Sequence, residues 1–531
     1  MNEIFATIKP YIQPFEKTLA LRELAALAGA EPVLETGDSR NTTAYRVTTS
    51  TSIEHLVSNL AYWEKVGSVD GNHLTSQTLR ESTVKMARNS VPLDVLQKQL
   101  PFGADVPVPN RRCLRYGTHG LHEYRGKFFP QLVRSLINVS NVQPDAVVAD
   151  PMSGSGTTVI EALLSGRKGL GLDMNPLSVY ISNVKAKLLT ANATRLHQCY
   201  DDIHEQLHRR VRGKRNTSYF NSLPEVDREY LSAWFSEQVI VSLDEVKQAI
   251  DDVSYGLARD LMSVALSNIL RKVSWQKDDD LRVRRQVRLD VELDPKNEFL
   301  VELERSVRAV LAFLYQSGPL RKGSYRLQEG DARQCGSVWG LHAADVVITS
   351  PPYATALPYL DTDRLSLCYL GLLSRNDHRK RDLTMIGNRE ISERIRINYW
   401  SDFSSKKDLP SSVMDLINKI DSLNSGPNVG FRRKNLPALL SKYFYDMGSV
   451  ISGMYTSLKP GCLAYMVVGN NHTMAAGQRV EIETTELLKD IARAVRFDVL
   501  DSIPMEVLVS RDIFRRNAMA TEKILVFMKP A

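Results

Sequence analysis

Two short stretches of the 531-residue chain hold residues whose types and spacing could do chemistry. The first is Asp150-Pro151-Met152-Ser153-Gly154-Ser155-Gly156-Thr157-Thr158, and the second is Thr349-Ser350-Pro351-Pro352-Tyr353. In the first, Gly154 and Gly156 let the backbone turn tightly and approach a ligand closely. No Gly-Lys-Ser/Thr follows, so the phosphate-loop pattern is absent. Val159 stands where a dinucleotide fingerprint would place its third glycine. Asp173 lies about 20 residues further on, behind the apolar run Gly169–Leu172, where an acid takes ribose hydroxyls. These residues predict a cofactor containing a nucleoside, of unspecified kind. In the second stretch, Pro351 and Pro352 stiffen the chain and remove two N–H donors, so that carbonyl acceptors predominate. Ser350 adds a hydroxyl acceptor and Tyr353 an aromatic face. A planar group bearing an NH2 suits such a site, its amine donating to Ser350 and a proline carbonyl while its ring stacks on Tyr353.

The elements around these stretches must bring them together. Ala146–Ala149 and Asp345–Ile348 are short apolar runs closed by glycine or proline chemistry, as buried parallel strands are. Ligands of open α/β sheets bind beyond the carboxyl ends of the strands, so both stretches are expected to face one crevice. Pro130 and Asn175-Pro176 read as helix starts. Leu327–Ala332 predicts a third strand ending near Asp331, and Tyr443–Leu458 a helix. Cys462–Val468, Val499–Met505 and Ile524–Lys529 read as later strands.

The pair of motifs resembles the amino-group DNA methyltransferases, which use S-adenosylmethionine to methylate an exocyclic base nitrogen. Ser350-Pro351-Pro352-Tyr353 matches their catalytic tetrapeptide. Its serine form is most similar to the N4-cytosine branch, since the adenine branch usually begins with Asp or Asn. The likeness runs from Tyr124 to Lys187 and from Leu327 to the C-terminus, about half of the chain. It implies an α/β class I methyltransferase fold, a Rossmann-like seven-stranded sheet closed by an antiparallel pair. It implies catalytic roles for Ser350, Pro351, Pro352 and Tyr353. The cofactor would be held by Lys127, Phe128, Asp150, Pro151, Ser153, Gly154, Gly156, Thr157, Thr158, Asp173 and Asp331. The implied reaction is methyl transfer to the N4 amine of cytosine in duplex DNA, beside a restriction or other defence protein. An N6-adenine DNA enzyme, an RNA amino-methyltransferase and a non-catalytic DNA-binding subunit are the alternatives. Methylation at cytosine C5 is disfavoured, because the cysteine directly after proline used there has no counterpart.

Six segments are expected. Residues 1–110 read as a helical N-terminal domain and linker, with a helix-turn-helix as a lesser alternative, and 111–190 as the cofactor half. Residues 191–325 form a helical insertion. Residues 326–374 hold the catalytic strand and motif, 375–440 a basic insertion suited to target recognition, and 441–531 the rest of the sheet. Arg282, Arg284 and Arg285 in the first insertion, and Arg432, Arg433 and Lys434 in the second, are the expected DNA contacts. The net charge of +7 permits nucleic-acid binding. Hydrophobic content of 43% and charged content of 24% are those of a globular protein, and no run is long and apolar enough for a membrane span. Five scattered cysteines form no paired metal spacing or disulfide framework, and with no leader at Met1 they fit a reducing cytoplasm. His119 and His122 lack the partners of a metal site. The recognition sequence and oligomeric state are left open.

Overall fold

The computed structural model describes residues 2–35, 43–69, 71–88, 91–124, 128–209, 217–277, 284–287, 292–321, 323–354, 359–388, 391–406, 408–426, 429–506 and 521–531. Its centre is a seven-stranded sheet. The strands are β1 (Val147–Asp150), β2 (Lys168–Asp173), β3 (Tyr325–Glu329), β4 (Ala344–Thr349), β5 (Leu458–Gly469), β6 (Asp498–Glu506) and β7 (Thr521–Met528). Their order is β6-β7-β5-β4-β1-β2-β3, and only β7 runs against the others. This is the expected class I methyltransferase sheet. The chain reverses outward from β1 to β3, returns to β4, and so leaves β1 and β4 as neighbours at the topological switch point, where such sheets bind ligands. Val148 lies opposite Val346 and Ala149 opposite Val347. These side chains are fully buried on both faces of the sheet, which explains their continuous apolar runs.

The helices that position the site start where the sequence signals place them. Helix α1 (Pro130–Val139) begins on a first-turn proline. Helix α2 (Thr157–Leu164) follows the glycine loop, and α3 (Pro176–Leu188) is capped by the Asn175 side chain, which accepts from the Leu177 N–H. Helix α4 (Arg375–Thr384) and the long α5 (Phe431–Ser457) lie in the target half. No helix among the described residues is long and apolar enough to cross a membrane.

The expected helical domain over residues 1–110 is corrected. Five short antiparallel strands form a sheet there, in the order Val33–Glu35, Ala44–Thr49, Asn2–Ile8, Trp63–Ser68, Gly71–Leu74. Ile4, Ala6 and Ile8 alternate inward, as do Tyr45, Val47 and Thr49. These period-two runs span only a few residues each, and they flank the fifteen-residue helix Pro14–Ala28, which ends at Gly29. A helix-turn-helix is therefore absent from the described part of this region. Residues 90–109 are not a plain linker either. Leu93–Gln99 is helical and buries Leu93 and Leu96 in the core of the helical insertion, alongside Leu100.

Buried hydrogen bonds join this N-terminal unit to α1, one of them to a carboxylate that also pairs with Lys9 inside the unit. Glu81 accepts from Lys9 Nζ (2.7 Å) and Gln131 Nε2 (3.1 Å), and Glu23 accepts from Asn138 Nδ2 (2.8 Å). Helix α1 is joined in turn to α2. Glu161 of α2 accepts from Tyr116 Oη (2.7 Å) and Arg134 Nε (2.9 Å), and His119 Nε2 lies 2.8 Å away. Burial pushes the Glu161 carboxyl upward, but the Arg134 charge and the His119 and Tyr116 hydrogen bonds outweigh it and hold the group at about 2. An acid depressed from 4.5 contributes stability that is fully present above its unfolded value and lost as pH falls through about 2. Glu161→Ala should cost about 3–5 kcal/mol at neutral pH by leaving a buried guanidinium unpaired. Glu161→Gln should cost less. Thermal melting from pH 2 to pH 7 should show the acid limb shrinking in both variants.

Candidate active site

The two motif strands end side by side, and one carboxylate joins their ends. Asp150 Oδ1 accepts from Thr349 Oγ1 (2.7 Å) and from the Met152 N–H (3.0 Å). Its Oδ2 accepts from Thr158 Oγ1 (2.8 Å). Asp150 is thereby bonded to the residue before the proline tetrapeptide, to its own loop and to α2. Burial raises its carboxyl to about 6, against the pull of the two threonine hydroxyls.

The glycine loop is built from its own backbone. The Ser153 N–H and Oγ both donate to the Leu172 carbonyl (2.8 and 3.2 Å), and Lys185 Nζ donates to the Ser155 carbonyl (3.0 Å). Gly154 has φ +49°, and a Cβ there would meet the Tyr124 ring at 2.9 Å. Gly156 has φ +84°, and a Cβ there would lie 2.7 Å from Ser182 Cβ of α3. The close approach at Gly156 is thus to a helix, whereas Gly154 abuts Tyr124 at the mouth of a crevice. Asp173 Oδ2 accepts from the Gly154 N–H and Oδ1 from the Asn175 N–H, both at 2.8 Å. Burial lifts its carboxyl to about 6 as well, with these two bonds opposing.

Beyond the strand ends lies a crevice of about 220 Å3. Phe128, Pro151, Gly154 and Asp173 line its first half, and Ser350, Pro351, Pro352 and Tyr353 line the second. The structure therefore gathers both predicted motifs around one cavity. Asp150, Ser153, Gly156, Thr157 and Thr158 stand behind it and shape the loop. Asp331 also stands back: it accepts from Arg333 Nε and Nη2 at 2.9 and 2.5 Å, while its neighbours Gly330 and Ala332 line the crevice. Lys127 lies outside the described residues.

Several lining residues escaped the sequence reading: Met174, Asn175, Met385, Ile386, Met505 and Glu522. Met385 and Ile386 follow α4, inside the stretch read as a long polar insertion. That stretch is mostly helical, with Glu393–Ser405 and Ser411–Leu423 following α4. Arg381 Nη1 donates to the Met174 carbonyl (2.7 Å) and to Glu329 (2.5 Å). Arg333 Nη2 donates to the Thr384 carbonyl (3.0 Å). These cations hold the segment against the carboxyl ends of β2 and β3, where it forms a third wall. The signal in sequence is a short apolar stretch, Leu383 to Ile386, between two charged runs.

The two predicted basic groups take different places. Arg285 stacks over Trp275, with its guanidinium carbon 5.0 Å from the ring centre, and Arg284 beside it is exposed. Arg282 lies outside the described residues. Arg432, Arg433 and Lys434 are exposed on the first turn of α5. Neither group lines the crevice. His119 pairs with Glu161 and His122 with Ser267, and among the described residues no cluster of three metal-ligating side chains occurs.

Comparison with known proteins gives several likenesses. Residues 122–223 match the family model UPF0020, RMKL-like, methyltransferase domain. The type II methyltransferase M.MvaI of Kocuria varians is 23% identical over 432 residues, which cover 78% of this chain and 91% of that protein. The type II methyltransferase M.BsoBI of Geobacillus stearothermophilus is 22% identical over 437 residues, 75% of this chain and 84% of that protein. Among solved structures, a putative DNA modification methylase of Thermus thermophilus complexed with S-adenosyl-L-methionine aligns with a TM-score of 0.20 and 15% identity, over 38% of this chain and 54% of that chain. The sheet, the crevice at its switch point and the two type II relatives define the class of this chain as methyltransferase.

The Asp150 junction has a measurable weight. Asp150→Ala should leave two buried hydroxyls and an N–H without their acceptor and destabilise the chain by about 2–3 kcal/mol. Asp150→Asn, which keeps one acceptor oxygen, should lose less. Comparison of the melting temperatures checks the ranking.

Proposed function

We propose that the chain transfers a methyl group from S-adenosylmethionine to the N4 amine of cytosine in duplex DNA. The observation that carries this reading is the placement of Ser350-Pro351-Pro352-Tyr353 in the same crevice as Gly154 and Asp173. The likeness to type II methyltransferases supports DNA as the substrate, and a restriction or other defence protein is the partner we assign to such an activity.

The residues of the first half fit the cofactor chemically. Asp173 offers a carboxylate to ribose hydroxyls, and Met174 and Ile386 offer apolar surface to a purine. Gly154, with Tyr124 against it, leaves backbone rather than a side chain facing the ligand. S-adenosylmethionine supplies an electrophilic methyl group on a sulfonium.

The second half deals with a weak nucleophile. The exocyclic amine of cytosine is delocalised into its ring. Ser350 Oγ and the Pro351 carbonyl accept its two hydrogens, which turns the nitrogen lone pair out of conjugation and toward the methyl donor. Tyr353 offers its ring to the base, which must leave the duplex to enter the crevice. Rate enhancement comes from positioning and from fixed acceptors, with no covalent enzyme intermediate. The serine at the head of the tetrapeptide supports cytosine over adenine. Arg284, Arg285, Arg432, Arg433 and Lys434 are exposed cations suited to DNA phosphates, with Arg282 assigned to the same role on its sequence position.

Two sets of measurements test this. Duplex DNA incubated with the chain and S-adenosylmethionine, then digested to nucleosides, should yield N4-methylcytosine. N6-methyladenine in its place would overturn the choice of base. Ser350→Ala should lower the rate about a hundredfold, through loss of one acceptor, with cofactor affinity unchanged. Second, Asp173 serves ribose hydroxyls best when ionised. With its carboxyl at about 6, cofactor affinity should fall about tenfold between pH 7 and pH 5. Calorimetry at the two pH values checks this, and Asp173→Asn should remove the dependence.

A further inference from the structure

We propose that Glu522 is a positioning residue for the target base, acting through the hydroxyl of Tyr353. The proposal rests on the reading of the crevice as a methyltransferase site and names a component that the motifs do not contain. Glu522 is at the start of β7, the one strand that runs against the rest of the sheet, so the crevice end of β7 is its beginning. In register it lies opposite Gly469, the last residue of β5, and opposite Met505 of β6. Its side chain lines the cavity together with Ser350, Tyr353, Val467 and Met505. The Tyr353 hydroxyl donates to Glu522 Oε1.

This contact bears on a torsion that the tetrapeptide leaves open. Two prolines fix the backbone up to Pro352, but Tyr353 has two rotatable side-chain bonds, and a stacking surface works only when its plane is set. A half-buried aromatic ring with no anchor at its far end could take more than one plane. An acceptor at the hydroxyl selects one. Glu522 provides that acceptor from a separate strand, so the ring spans from the end of β4 to the start of β7. The role requires an acceptor oxygen and not a charge.

Single-turnover methyl transfer in the full chain, with 2-aminopurine fluorescence as a separate readout of the flipped base, tests the assignment. Tyr353→Phe and Glu522→Ala should each lower the transfer rate about tenfold and reduce the fluorescence gain on binding. The double variant should be no slower than Tyr353→Phe alone. Glu522→Gln, which keeps an acceptor, should recover most of the rate. S-adenosylmethionine affinity and melting temperature should match the wild type throughout, which separates positioning from a folding defect. Additive losses in the double variant, or a Glu522→Gln variant as slow as Glu522→Ala, would overturn the positioning role. A wild-type chain that transfers no methyl group to any duplex would instead overturn the reading of the crevice, an outcome visible before any variant is compared.

Discussion

One buried carboxylate organises the site. Asp150 has its oxygens taken by Thr349, Thr158 and the Met152 N–H, so a single group couples β1, β4, the glycine loop and α2. The sheet alone would leave these ends loosely related. Its hydrogen bonds fix β1 against β4 at Val148–Val346 and Ala149–Val347, then stop. Beyond that point the Asp150–Thr349 bond ties the two strand ends together through side chains. Placing an acid there is unfavourable in itself, as its carboxyl at about 6 indicates. The arrangement persists because every acceptor site used is met by a hydroxyl or an N–H, and leaving those donors unmet would cost more. The separation between the two halves of the crevice is therefore set by rigid parts.

Much of this was legible in sequence because the relevant signals are local. The apolar runs of β1 and β4, the glycines, Pro130 and Asn175-Pro176 each state a backbone requirement within a few residues, and each element begins where those residues place it. The terminal pair β6 and β7 likewise fell on the expected runs. The N-terminal sheet was not legible. Its strands are short, and their alternation, such as Ile4, Ala6 and Ile8, covers only a few residues at a time. Strand pairing is a long-range matter, and Asn2–Ile8 pairs with Ala44–Thr49 across the whole helix Pro14–Ala28.

The site residues divide in the same way. Residues whose type is demanded by backbone geometry or by a compact motif could be picked out, and so Gly154, Asp173 and Ser350–Tyr353 line the crevice together. Residues that reach it from distant elements could not. Met385 and Ile386 arrive on a segment whose composition reads as solvated, and Glu522 arrives on a strand whose neighbours give no hint of a polar role. The sequence also could not separate a loop residue that faces the crevice from one that faces a helix. Gly154 and Gly156 look equivalent in the motif, yet one abuts Tyr124 at the crevice and the other abuts Ser182 of α3.

The third wall shows how an insertion becomes part of an active site. Arg381 reaches the Met174 carbonyl and Glu329, at the ends of β2 and β3, and Arg333 reaches Asp331, Asp446 and the Thr384 carbonyl. Strand ends present carbonyl and carboxylate oxygens in excess, because the parallel ladder stops there and no further N–H groups arrive. Arginine, with five donors in a planar fork, can satisfy several of these at once. The cations of the second insertion thus serve two purposes that sequence cannot distinguish. Arg381 turns inward and fastens the insertion to the sheet, while Arg432, Arg433 and Lys434 stay exposed on the first turn of α5. Because α5 also supplies Asp446 to the Arg333 pair and Lys442 to the Met385 carbonyl, the helix bearing the exposed cations is the one that braces the wall of the crevice. The exposed cations at one end of α5 are therefore held in a fixed relation to the wall that its middle residues Lys442 and Asp446 brace.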